Sequence, residues 1–115
     1  MARHSRLETL SRMKQIGLVP VFYQSDPEVA IQIAKACYAA GAAVLEFTNR
    51  GDRAVGVFCR LAEFRDAQQP DLVLGGGSIV DAPTAALYIS AGADFVVGPI
   101  LDEQTAILCN TRKIP

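Results

Sequence analysis

Four short apolar runs recur along the 115-residue chain, and each is followed by turn residues and then by a segment with helical spacing. The runs cover residues 18–23, 43–48, 71–76 and 94–98. Because they are almost continuously apolar rather than alternating, they are typical of parallel strands that are buried on both faces. Strands that alternate with helices predict an α/β fold.

Capping residues mark the starts of the predicted helices. A leading helix over residues 3–16 precedes the first strand, with Leu7, Leu10, Met13 and Ile16 on one side. Aspartate is a favoured cap because its carboxylate accepts hydrogen bonds from the first helical N–H groups. The sequence predicts such caps for four later helices, at Asp26, Asp52, Asp81 and Asp102.

An internal repeat relates the second run to the fourth. Residues 40–47 (AGAAVLEF) resemble residues 91–98 (AGADFVVG), so the repeat is about two βα units long. This periodicity favours repeated βα units of one barrel over two separate domains. A simpler explanation is that Gly-Ala suits any corner between a helix and a strand. We expect a single domain over residues 1–115.

Composition argues against several classes of function. Eleven Lys and Arg against twelve Asp and Glu leave no basic surplus for binding nucleic acid. The apolar runs are far shorter than the roughly 20 residues that span a bilayer, and residues 1–15 lack the apolar core of a signal peptide. We therefore expect a cytoplasmic protein without membrane partners. A single histidine and three cysteines without metal-binding spacing predict no metal site.

Polar residues at the carboxyl ends of the predicted strands are the candidates for chemistry, because ligands of parallel α/β folds bind there. Glu46 lies inside an apolar strand, where an unpaired carboxylate costs several kcal/mol. It is either a proton-transferring acid with a raised pKa or half of a structural ion pair with Arg50. Arg50 is either a carboxylate or phosphate ligand or a solvated loop residue. The run Gly75–Ser78 is weak evidence of an anion site, since it lacks the spacing of nucleotide-binding loops.

At these residues the sequence resembles the class I aldolases that cleave 2-keto-3-deoxy-6-phosphogluconate and 4-hydroxy-2-oxoglutarate, the KDPG/KHG aldolase family. The resemblance rests on four segments in the same order along the chain. They are residues 17–21 (GLVPV), 44–52 (VLEFTNRGD), 75–80 (GGGSIV) and 92–99 (GADFVVGP). The family's fold is a (β/α)8 TIM barrel, commonly assembled as a trimer.

The resemblance implies a role for four residues. Glu46 matches the family's proton-shuttling glutamate, and Arg50 matches the arginine that holds the carboxylate of the pyruvate portion. Ser78 stands where the family commonly has threonine and keeps the substrate-binding hydroxyl, and Pro99 matches a proline that lines the substrate. The implied partners are small molecules, pyruvate and a phosphorylated 2-keto-3-deoxy sugar acid.

The family's Schiff-base lysine, on the sixth strand of the barrel, has no counterpart here. Lys14, Lys35 and Lys113 lie on or beside predicted helices. The resemblance therefore implies the N-terminal half of the barrel: a leading helix and about four parallel strands. Because a Schiff base supplies the electron sink, no metal or cofactor is expected.

Two other interpretations are compatible with the sequence. One is a non-catalytic α/β binding or assembly module that keeps the carboxylate-binding corner. The other is a small flavodoxin-like domain, which suits the length of the chain. A half-barrel would leave strand edges and apolar side chains exposed, so we expect it to self-associate or to be poorly soluble.

Overall fold

The computed structural model describes residues 2–115. Within these residues the helices and strands are α1 (Arg6–Ile16), β1 (Val21–Phe22), α2 (Pro27–Ala39), β2 (Val44–Thr48), α3 (Ala54–Gln68), β3 (Val73–Gly77), α4 (Ala82–Ser90) and α5 (Glu103–Arg112). The strands form one parallel sheet in the order β1-β2-β3. A barrel built from successive βα units requires this consecutive order, whereas a flavodoxin-like domain places its second strand at the edge, before the first.

Three of the predicted aspartate caps are present, and one prediction was wrong. Each of the three accepts a hydrogen bond of 2.8 or 2.9 Å from a backbone N–H in the first turn of its helix: Asp26, Asp81 and Asp102. Asp52 does not cap α3, because the residue before that helix is Arg53, in a left-handed conformation with φ 61°. The chain enters α3 through a tight turn in which the Ala54 N–H donates to the Gly51 carbonyl. Asp52 lies exposed within that turn.

The prediction of about four strands needs a correction at the fourth run. Residues 94–98 join β3 through a single parallel bridge and do not form a regular strand. At the amino end, the Leu74 N–H donates to the side-chain carboxylate of Asp94 at 3.0 Å instead of to a backbone carbonyl. At the carboxyl end, the backbone of Ser78 turns into the left-handed region with φ 56°. The sheet therefore has three strands and a bridged fourth segment, residues 94–98, which still bonds to the backbone of β3, for example from the Val97 N–H to the Gly76 carbonyl at 2.9 Å.

The first strand is shorter than its apolar run. Of residues 18–23, only Val21 and Phe22 pair with β2. Pro20 has no N–H to donate and contributes only its carbonyl, which accepts the Glu46 N–H at 2.9 Å. β1 is therefore a short edge strand.

The two faces of the sheet are covered differently. The outer face packs against α2, α3 and α4 through side chains with no solvent exposure: Leu45, Phe47 and Leu74. On the inner face a smaller cluster closes only the amino end, where α1 contributes Met13 and Ile16. Near the carboxyl end the inner face is open, with Val21 55% and Val97 39% exposed. The carboxyl end of the inner face is thus the accessible concave surface of the molecule.

The described residues contain neither a membrane-spanning helix nor a cluster of metal ligands, and their cysteines are not paired in disulfides. None of the helices in residues 2–115 is long and apolar enough to cross a membrane. No group of three or more His, Cys, Asp or Glu side chains in that range is arranged to hold a metal ion. The cysteines are free thiols, and burial raises the pKa of Cys109, although Arg6 partly offsets that shift. The Cys109 thiol therefore stays protonated at neutral pH.

Candidate active site

The four site residues predicted from the sequence lie along one edge of the sheet. They are Glu46 in β2, Arg50 in the following loop, Ser78 directly after β3 and Pro99 directly after the fourth segment. Because the carboxyl ends of neighbouring parallel strands meet at the same edge, the fold lines these residues up there. Arg50 and Pro99 are exposed, and Ser78 is half-buried.

Glu46 directs its side chain to the inner face of the sheet. Side chains alternate along a strand, and its neighbours Leu45 and Phe47 both face the helices. Burial raises the pKa of Glu46 above its ordinary value of 4.5. Among residues 2–115, no ion pair joins this carboxylate to Arg50. The ion-pair interpretation therefore has no support, and the carboxyl group faces the open concave surface.

The glycine run in β3 gives clearance to neighbouring side chains. A Cβ added at Gly77 would overlap the Glu46 carboxylate. Cβ atoms at Gly75 and Gly76 would overlap the rings of Phe95 and Tyr88 in the same way. These three close approaches explain the glycine run, for which the sequence predicted only a possible anion site. Gly77 in particular leaves the room that the Glu46 carboxylate occupies.

Ser78 sits at the turn that ends β3. Its φ of 56° lies in the left-handed region, which non-glycine residues adopt rarely and β-branched residues hardly at all. Serine suits this backbone better than threonine does, because it has no branch at Cβ. The local backbone thus gives a physical reason for the hydroxyl at this edge to come from serine.

Two residues that the sequence did not predict, Tyr88 and Tyr23, lie against the loop after β2. The Tyr88 hydroxyl donates a hydrogen bond of 2.9 Å to Oδ1 of Asn49, the residue before Arg50. The Tyr23 hydroxyl occupies the space that a side chain at Gly51 would need. The only sequence signal was that both tyrosines carry a polar atom in otherwise apolar segments, which calls for a buried partner.

A second polar cluster lies at the opposite end of the sheet. The Arg65 guanidinium, 1% exposed, donates at 2.8 Å to Oδ2 of Asp94, which is fully buried. Asp94 also accepts backbone N–H groups of Arg3 and His4, at 2.8 and 2.9 Å. An aspartate inside the fourth apolar run was the available sequence signal. These contacts join the N-terminal segment to the amino-terminal part of the sheet.

The raised pKa of Glu46 predicts a pH-dependent effect of the substitution Glu46→Gln. A carboxyl group whose pKa is higher in the folded state destabilises the fold once it ionises, as pH rises above about 4.5. We expect Glu46→Gln to be more stable than the unsubstituted chain at pH 7, with the difference disappearing below pH 4. Urea unfolding at pH 4 and pH 7 measures this. Glu63→Gln, which removes a 72% exposed carboxylate, is the matched control, and an equal gain there would contradict the argument.

Comparison with known proteins identifies close similarity along nearly the whole chain. Residues 9–115 match the family model described as "Aldolase: KDPG and KHG aldolase". The chain is 34% identical to the KHG/KDPG aldolase of Escherichia coli K12 over 98 residues, which is 85% of this chain and 44% of that protein. It is 35% identical to the 2-dehydro-3-deoxy-phosphogluconate aldolase of Dickeya dadantii, again over 85% of this chain and 44% of that protein.

Solved structures agree with the sequence comparisons. The aldolase of Zymomonas mobilis ZM4, solved with 3-phosphoglycerate, superposes with a TM-score of 0.79 at 27% identity, over 92% of this chain and 48% of that one. The KDPG aldolase of Legionella pneumophila, solved with pyruvate captured as a covalent carbinolamine intermediate, gives 0.75 at 28% identity, over 84% and 45%. The chain therefore spans about half the length of the relatives that it matches.

Proposed function

Because the chain belongs to the KDPG/KHG aldolase family, we propose that it forms the first half of an aldehyde-lyase. The reaction is the reversible retro-aldol cleavage of 2-keto-3-deoxy-6-phosphogluconate, of 4-hydroxy-2-oxoglutarate, or of both, to pyruvate and an aldehyde. The observation that carries the proposal is the Glu46 carboxyl group with its raised pKa, at the open concave edge that also bears the Arg50 loop. The carbinolamine of pyruvate in the Legionella relative supports the same chemistry.

In this proposal the four residues at the carboxyl ends of the strands bind the substrate and transfer protons. Arg50 is exposed and carries a planar guanidinium, which binds a carboxylate through two parallel hydrogen bonds. Glu46 exchanges protons with the reacting atoms, because a carboxyl group whose pKa is raised by burial holds a proton more readily than an exposed one and can both give it up and take it back. Ser78 contributes a hydroxyl to the substrate, and Pro99 lines the same edge.

The covalent step in this proposal uses an amine from outside residues 1–115. A lysine nitrogen adds to the keto carbon of the substrate, water leaves, and the resulting iminium accepts the electron pair when the carbon–carbon bond breaks. As that bond breaks, the hydroxyl on the neighbouring carbon loses its proton to a base and becomes the carbonyl of the departing aldehyde. The remaining enamine is then protonated and hydrolysed to pyruvate and the free lysine. No metal or organic cofactor enters this sequence.

Binding of pyruvate tests the carboxylate-binding half of the proposal, which needs no lysine. We expect sodium pyruvate at millimolar concentration to shift the amide resonances of residues 46–52 in a ¹⁵N NMR titration. Arg50→Gln should weaken the affinity at least about tenfold, since a bidentate charge-assisted contact is lost. Arg53→Gln removes an equal charge from the same loop and should leave the affinity within about twofold. Equal losses in both variants would indicate general electrostatic attraction instead of a site.

We also propose that the protein acts in the cytoplasm as a homo-oligomer, a trimer when the barrel is complete. The open features of this half support association. Within the described residues β1 is an edge strand, and Val21 and Val97 are exposed on the inner face. Beside the fourth segment, a cavity of about 380 Å³ is lined largely by apolar side chains that include Ile100 and Leu101.

Residues 1–115 alone are therefore expected to dimerise or aggregate at micromolar concentration. Burying 400 Å² of apolar surface is worth roughly 10 kcal/mol before the costs of association, at about 25 cal/mol per Å². Sedimentation velocity or light scattering measures the mass. Val21→Lys places a charge on the exposed edge strand and should shift the population toward monomer, whereas Val29→Lys, on the outer surface of α2, should not. A cooperative, soluble monomer of the unsubstituted chain would contradict the expectation.

A further inference from the structure

Tyr88 extends from α4 across the outer face of the sheet toward the Arg50 loop. Its side chain is fully buried, and its ring lies over Gly76, where any Cβ would overlap it. The ring also packs against Phe58 of α3, with 4.8 Å between ring centroids. The phenol is therefore held from both sides, and its hydroxyl emerges beyond β3 at the loop that follows β2.

The hydroxyl fixes the residue that precedes Arg50. It donates to Oδ1 of Asn49 at 2.9 Å, while the Asn49 N–H donates to the Gly77 carbonyl at 2.8 Å. The Arg50 N–H donates in turn to the Thr48 carbonyl at 2.9 Å. Asn49 is thus attached to the sheet through both its backbone and its side chain, and the backbone of Arg50 follows directly from it.

A second tyrosine packs against the same loop on the other side of Arg50. The Tyr23 hydroxyl, which comes from the end of the first apolar run, lies where a side chain at Gly51 would be. The loop is therefore fixed before Arg50 by a hydrogen bond and after it by a close packing contact. The Arg50 side chain itself remains exposed at the concave edge.

We propose that Tyr88 is a positioning residue, which acts through Asn49 to hold the Arg50 guanidinium where it binds the substrate carboxylate. This inference rests on the proposed function, since it gives the carboxylate-binding residue a rigid base. Pre-ordering matters because an arginine on a mobile loop loses conformational freedom when it binds, and that loss weakens the affinity.

The protonation state of Tyr88 is compatible with this role. Burial, with smaller contributions from Cys59 and Tyr23, raises the pKa of Tyr88 to about 12. The phenol therefore keeps its proton across the neutral pH range, and it can donate to the side-chain Oδ1 of Asn49 throughout that range. The contact should hold the loop equally well from pH 6 to pH 9.

Hydrogen exchange in the ligand-free chain tests the positioning step. Tyr88→Phe removes only the hydroxyl, so the amides of Asn49 and Arg50 should exchange about fivefold to tenfold faster, as expected for the loss of one hydrogen bond. Tyr38→Phe removes a hydroxyl from α2 and is the matched control, and the Leu74 amide is the reference inside the core. Asn49→Ala should give the same acceleration at Arg50, and the double variant should give no more than either single one. If Tyr88→Phe lowers the melting temperature but leaves the loop amides as slow as in Tyr38→Phe, the proposal is overturned.

Titration with sodium pyruvate then separates this inference from the proposed function. We expect Tyr88→Phe to weaken pyruvate binding at least about threefold, with binding by Tyr38→Phe unchanged. Faster loop exchange with unchanged pyruvate affinity would overturn the link from Tyr88 to Arg50. A chain that binds no pyruvate in any form, but whose loop still loosens in Tyr88→Phe, would contradict the proposed function and leave the loop support in place.

Discussion

Purified residues 1–115 are expected to release no measurable pyruvate from 2-keto-3-deoxy-6-phosphogluconate. The reaction needs an amine at the concave edge, and none of the three lysines reaches it. Lys14 is exposed on α1, which packs at the amino end of the sheet, and Lys113 is exposed after α5. Lys35, on α2 over the outer face, lies 5.4 Å above the ring of Phe64. Loss of the nucleophile should lower turnover by at least about 10³-fold.

Two measurements check this expectation. A coupled assay for pyruvate gives the turnover, with the full-length Escherichia coli KHG/KDPG aldolase as the positive control. Borohydride reduction in the presence of pyruvate, followed by mass spectrometry, detects any Schiff base as a stable adduct. An adduct on Lys14, Lys35 or Lys113 would show that the chemistry had been assigned to the wrong part of the chain. Pyruvate binding without an adduct is the expected combination.

The sequence predicted the layers of the fold well, because continuous apolar runs and aspartate caps are local signals. The α/β class and the half-barrel relation to the aldolases are confirmed, and the consecutive order of the parallel strands agrees with both. Asp26, Asp81 and Asp102 cap helices because each directly precedes a segment with helical spacing. The predicted cap at Asp52 was wrong because the turn that starts at Gly51 contains two further residues before α3 begins.

Tertiary contacts decided what the sequence did not predict. The fourth run is apolar enough for a strand, yet the Asp94 side chain takes the Leu74 N–H that a regular ladder would use. The sequence of residues 94–98 alone does not show which backbone N–H group donates a hydrogen bond to the Asp94 carboxylate. The same holds for the glycine run, whose three close approaches come from side chains that are distant in sequence.

The candidate site was predicted in its placement and stays a prediction in its chemistry. The edge location of Glu46, Arg50, Ser78 and Pro99 follows from parallel strands alone. The contact between Tyr88 and the Arg50 loop could not be predicted from the sequence, because it depends on where α4 packs behind β3. Sequence patterns locate strand ends, whereas the geometry of a site also depends on helices that pack behind the sheet.

Asp94→Ala is expected to destabilise the chain by about 3–5 kcal/mol, a large part of the stability of a small domain. The substitution leaves the Arg65 guanidinium as a buried charge that has lost this carboxylate, and an isolated buried charge is strongly unfavourable. It also removes the acceptor of three backbone N–H groups, those of Arg3, His4 and Leu74. Urea unfolding followed by circular dichroism should show a much lower midpoint.

The matched control is the other carboxylate that Arg65 contacts. Arg65 Nε donates to Asp66 at 2.8 Å, but Asp66 is 51% exposed, so removing its carboxylate opens that side of Arg65 to water instead of leaving a buried unpaired charge. Asp66→Ala should therefore cost less than about 1 kcal/mol. If both alanine variants lose similar stability, burial is not what makes the Arg65 to Asp94 pair important. A large loss in Asp94→Ala alone would show that this buried pair, near the amino end of the sheet, stabilises the half-barrel.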